Sequence, residues 1–198
     1  MKSLRTGMLM LLGLVAACST PKPERFHSLL PAERPASRTV ADPIYVDVAP
    51  VKVPAQVDHA QWVLRQPDDS LLLLEQERWA APLADELRAA LVDGLIARWS
   101  TIDVRGVALP APAVWRVSVD VQRFESVSGR EARLEAAWSV SAAQRGTTAL
   151  VCRSTLVEPV GEPGVPALAA AHRRTAARLA DEIGRRLQAL RSGQPGTC

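Results

Sequence analysis

Cysteine and histidine, which hold metals and do much of the nucleophilic and acid–base work in proteins, are scarce here: three of each in 198 residues. There is no CxxC pair, and no His stands at metal-ligand spacing from another His, a Cys or an acid. His27 lies in a linker-like N-terminal stretch and His59 in a loop. His172 falls in a helical pattern, where a packed or partly exposed ring is expected. No GxSxG elbow, P-loop or GxGxxG occurs, so neither a catalytic set nor a cofactor is expected. Glu75 and Glu77 stand two apart, and such a pair reads as solvated charge. One-sided charge is also lacking. Lys2 and Arg5 supply two of the net +3, which leaves +1 once residues 1–17 are removed. That balance does not argue for a nucleic-acid partner, whose binder would usually show a concentrated basic face.

What the chain does have begins at its N-terminus. Lys2 and Arg5 precede an uncharged run, 7–17, which ends Val15-Ala16-Ala17 and is followed by Cys18. The run is too short for a bilayer span, which needs about 20 residues. A positive start, an apolar core and small residues before a cut make a secretory signal. The cysteine directly after them resembles the lipobox of bacterial lipoproteins. In those proteins the peptide is cut before this thiol, and the thiol and the new amine are acylated. The expectation is a signal over 1–17, a lipidated Cys18 with a tether over 18–42, and one domain over 43–198. A secreted protein with a chance Cys is the alternative. Residues 19–42 number 24, and a flexible chain of that length extends about 25–30 Å on average. Within it, Arg25 to Pro31 is apolar enough to dock as a short edge strand. Cys152 and Cys198 can pair in an oxidising compartment. A buried thiol at Cys152 and a free one at Cys198 is the reading preferred here.

Beyond the tether, Ile44, Val46 and Val48 alternate with polar neighbours, as in a strand. Residues 61–66 and 71–75 flank Pro67-Asp68-Asp69-Ser70, a good turn, and read as a hairpin. Pro82 suits a first helical position, and Leu83, Leu87, Leu91 and Leu95 recur every four residues, with Ala90 and Trp99 beside them. Residues 101–105 are a short strand. Trp115, Val117, Val119 and Val121 alternate next, then Ala132, Leu134, Ala136, Trp138 and Val140, then a third strand over 148–157. A last helix carries Leu168, His172, Thr175, Leu179, Ile183 and Leu187 on one side. The expected fold is α+β: a mainly antiparallel sheet, built of a hairpin and a three-strand meander, with two amphipathic helices on one face.

Of the five tryptophans, Trp115 and Trp138 take inward strand positions and are expected in the core. Trp79 sits at a strand-to-helix junction. It is either a plug at the sheet edge or, with Arg78, part of a partner surface, where Trp and Arg are over-represented.

The lipobox, the aromatic-x-x-Leu of Phe26 to Leu29, Val51-Lys52-Val53-Pro54, and Glu77 to Leu83 opening a helix come in a familiar order. Together they resemble the ABC-type transport auxiliary lipoproteins, the PqiC-like family, many members of which carry Tyr where His27 stands. The resemblance implies an oligomeric docking lipoprotein, not an enzyme. Its implied partners are an MCE-domain protein and the ABC subunits of a trans-envelope lipid transport system that maintains envelope integrity. Ser19 resembles the outer-membrane sorting signal, which implies a periplasm-facing domain at that membrane. A structural or assembly lipoprotein and a lipid-tethered hydrolase are the alternatives.

Overall fold

The computed structural model describes residues 22–33, 42–107, 114–142, 150–194 and 197–198; Cys18 and the signal fall outside them. In chain order the elements are β1 (Arg25–His27), β2 (Ile44–Val48), β3 (Gln61–Arg65), β4 (Leu71–Trp79), α1 (Leu83–Trp99), β5 (Thr101–Asp103), β6 (Val114–Val127), β7 (Glu131–Ala142), β8 (Leu150–Pro159) and α2 (Val165–Arg191). Five strands form one sheet in the order β5-β2-β6-β7-β8, and three form a smaller one, β1-β4-β3.

The meander β6-β7-β8 is antiparallel, as its alternation requires. One feature of β6 breaks the pattern. Val117, Val119 and Val121 point inward, yet strict alternation beyond them would bury Arg123 in place of Phe124. The register shifts between Val121 and Arg123, and Phe124, Glu125 and Ser126 are buried while Arg123 is exposed. A bulge of this kind adds one residue and resets which side chains face the core. It also lets β6 run on to Val127, past the point where the sequence pattern ends.

The α+β class holds, and both sheets are mixed, not purely antiparallel. β2 lies between β5 and β6 and is parallel to both, and β1 is parallel to β4. Parallel pairing needs a long crossover. Here β3, β4 and α1 carry the chain out and back before β5 enters beside β2. The 51–54 stretch extends the same edge: Lys52 bridges Asp120 and exchanges backbone hydrogen bonds with Val119 and Val121.

α1 packs on β5 and β2, α2 on β6, β7 and β8, and the two helices on each other. Leu83, Leu87, Ala90, Leu91 and Leu95 are buried from α1, and all six residues expected on the inner side of α2 are buried. The helices cross closely. A Cβ on Gly94 would stand 2.8 Å from that of Ala180, and one on Gly184 would stand 2.3 Å from the root of the Trp99 indole. Trp138 is core, whereas Trp115 is only partly buried at its margin.

Cys152 and Cys198 are joined in a disulfide, with Cα atoms 5.5 Å apart. The preference for unpaired thiols is therefore corrected. β8 aims Cys152 inward, and the chain leaving α2 returns to it. In the sequence the two lie 46 apart, and nothing local shows that α2 runs back over β8.

Candidate functional site

The three-stranded sheet meets the body of the domain along a buried aromatic seam. Trp62 of β3 stacks on Trp79 of β4 at 4.0 Å, and Phe124 of β6 stacks on His172 of α2 at 3.9 Å. Trp79 also meets Phe124 edge-on. Offset and edge contacts of this kind contribute beyond their buried area. Ser126 ties the two stacks together: its Oγ accepts from Trp62 Nε1 at 3.1 Å and shares a 2.9 Å hydrogen bond with His172 Nε2. His172 Nδ1 has no partner. Burial pushes the ring pKa down to about 3, so the imidazole is neutral and structural.

A second cluster clasps the N-terminal strand. Glu77, expected as solvated, is 6% exposed. It pairs with Arg25 and accepts from His27 Nε2 at 2.5 Å. Glu86, buried in the first turn of α1, accepts from Ser28 Oγ at 2.8 Å and from the Leu29 backbone N–H at 2.7 Å. Arg173 of α2 donates to the Ser28 carbonyl. The short edge strand expected in this stretch thus docks, and Leu29 goes further, into the core. A carboxylate removed from water needs such partners, because burying it unpaired is costly.

Of the predicted site residues, Cys18 lies outside the described residues. Trp79 is 5% exposed, so its ring is a plug between Trp62 and Phe124 and offers no anchor to a partner. Arg78 is half-buried and pairs with Glu24 at 2.7 Å. Sequence reasoning missed the far end of the same strand. Leu71, Leu72 and Leu73 are 39%, 46% and 37% exposed, although consecutive β-strand side chains alternate between faces. The end of the hairpin is therefore bare on both sides. β1 covers β4 only at Glu77–Trp79, so the edge along 71–76 has no strand partner among the described residues. Four leucines in a row, 71–74, were the available signal.

No described helix is long and apolar enough to cross a membrane, and no described group of three or more His, Cys, Asp and Glu could hold a metal. The family described as ABC-type transport auxiliary lipoprotein component matches residues 27–184, from the clasped strand to the last turns of α2. The chain belongs to that family. No curated protein matches it. Two solved structures share the auxiliary lipoprotein's fold. One, a crystal structure of an uncharacterised protein, has a TM-score of 0.67 at 16% identity, covering 83% of this chain and 98% of its own. The other, from Xanthomonas campestris, has a TM-score of 0.62 at 18% identity, covering 85% and 97%. At such identities the likeness concerns the fold alone.

Proposed function

We propose that this auxiliary lipoprotein is anchored by lipid at Cys18 to the periplasmic side of the outer membrane. There it serves as a docking component, not an enzyme, for an MCE-domain protein and the ABC subunits of one transport system. Family membership supports the transport role. The observation that supports binding is the bare end of β4, where an open backbone edge and three exposed leucines lie together. An unpaired edge is a template for another strand. Its occupant in this reading is a second copy of the chain, and the resulting homo-oligomer presents the shared surface to the channel.

A photocrosslinker at position 72 in the full-length lipoprotein tests this in intact cells. The expected product is a dimer of the chain, and detergent extracts should yield the MCE protein and ABC subunits with it. Recovery of an outer-membrane barrel instead would favour an assembly role. A monomer with no envelope partner would overturn the transport reading. Cys18→Ala should release the protein from the outer-membrane fraction, because one residue carries the whole attachment.

A further inference from the structure

Among the described residues, the arginines are nearly all engaged. Seventeen of them lie in the described residues, and fourteen make an ion pair or a hydrogen bond, for example Arg65 with Glu125, Arg116 with Asp47, and Arg174 and Arg178 with Glu158. The remaining three, Arg153, Arg185 and Arg186, have no such partner, and all three line one cavity of about 230 Å³. β8 supplies Arg153, and α2 supplies the other two. The Cys152–Cys198 disulfide forms part of the wall, so the C-terminal residue is fastened at the rim.

The acid in this cavity does not neutralise the cluster. Glu182 accepts from Ser154 Oγ, and Ser154 Oγ accepts in turn from Trp138 Nε1 at 2.8 Å. The carboxylate is tied to the floor and makes no ion pair with Arg186, one helical turn away. Three guanidinium groups stand against the Glu182 carboxylate and the α-carboxylate of Cys198, which leaves a local charge of +1. Like charges gathered around a concave surface repel one another and raise the local concentration of anions. Guanidinium forks match the oxygens of a phosphate in paired hydrogen bonds. Arg153 and Arg185 are exposed and Arg186 is half-buried, so a ligand can enter from solvent.

We propose that this cavity is a binding site for a phosphate-bearing anion, either free phosphate or the headgroup of a phospholipid. The proposal rests on the arginine cluster alone and is independent of the anchor and partner assignments above.

Calorimetric titration of the full-length lipoprotein in detergent tests it with three probes: inorganic phosphate, short-chain phosphatidic acid and short-chain phosphatidylcholine. Phosphatidic acid should bind. Arg153→Ala combined with Arg186→Ala should weaken it by about tenfold or more, since hydrogen bonds to charged groups are lost. Arg116→Ala, which removes an exposed arginine already paired with Asp47, should leave the affinity unchanged. Both sets of positions are accessible, and matched melting temperatures confirm that folding is retained. Equal affinity for inorganic phosphate and phosphatidic acid identifies the free anion as the ligand; a clear preference for phosphatidic acid identifies the lipid headgroup. Absence of binding by both inorganic phosphate and phosphatidic acid overturns the proposal. So does an affinity that the double variant leaves intact, or binding of zwitterionic phosphatidylcholine equal to that of phosphatidic acid, which would show that an anionic headgroup is not what is recognised.

Discussion

In the five-stranded sheet, β7 buries Ala132, Leu134, Ala136, Trp138 and Val140, every second residue without interruption. In the three-stranded sheet, β4 exposes Leu71, Leu72 and Leu73 and buries Glu77. The first sheet is covered by two helices, and its pattern follows from one wet and one dry face. The second has no helix stripe of its own to cover it. It is held by stacked rings, a shared serine and carboxylate clasps to β1. The two regions thus differ in what secures them: in one, periodic apolar burial; in the other, a few specific contacts made across long sequence distances.

The sharpest test of that difference is Trp62→Ala. Trp62 is fully buried at the seam, and its loss should cost about 3–5 kcal/mol and unfold both sheets in a single transition. Calorimetry showing two separate transitions would mean that the small sheet is an independent unit. In the body, Leu179→Ala or Leu91→Ala should cost about 2–5 kcal/mol in denaturant titration. A change of only a few tenths at both would place the helices wrongly. Gly184→Ala should cost about 1–3 kcal/mol by overpacking, because the added methyl meets the Trp99 indole near its attachment and not at a mobile tip.

His172 makes the seam sensitive to acid. Its pKa is about 3 in the folded protein, against an ordinary value of 6.5, so below pH 6.5 the unfolded chain binds a proton that the folded one refuses. This contribution to stability is whole above pH 6.5 and is lost as the pH falls towards 3. Its slope is at most about 1.4 kcal/mol per pH unit. The measurement is the difference in melting temperature against pH between the native chain and His172→Gln, which isolates the contribution of this ring. The smallest effect is expected at Arg78→Ala. Its pair with Glu24 is half-exposed, and the change should cost no more than about 1 kcal/mol.

The same contrast explains what could be read beforehand. The meander, both helix faces and the Pro67–Ser70 turn were legible, because each is written in neighbouring residues. The parallel seating of β2 was not, since direction depends on where the chain re-enters after a crossover. The bulge at Val121–Arg123 hid the second half of β6 by shifting its period. Glu77 looked solvated because its partners, Arg25 and His27, lie about 50 residues earlier. Trp79 stood undecided for a similar reason: its stacking partner comes from another strand. The cavity at the disulfide was invisible for want of any local sign that β8, α2 and the last residue converge.

The docking of β1 changes the length of the leash. In the reading that puts lipid at Cys18, at most the five residues 19–23, and not 24, separate the anchor from the docked strand, because Glu24 is held to Arg78 and Arg25 to Glu77. A random chain of five residues extends about 11–13 Å on average, less than half the earlier span. The sphere open to the domain then shrinks to about one-tenth of the volume, and its effective concentration within that sphere rises accordingly. In that reading a partner must present itself at the surface that carries the lipid.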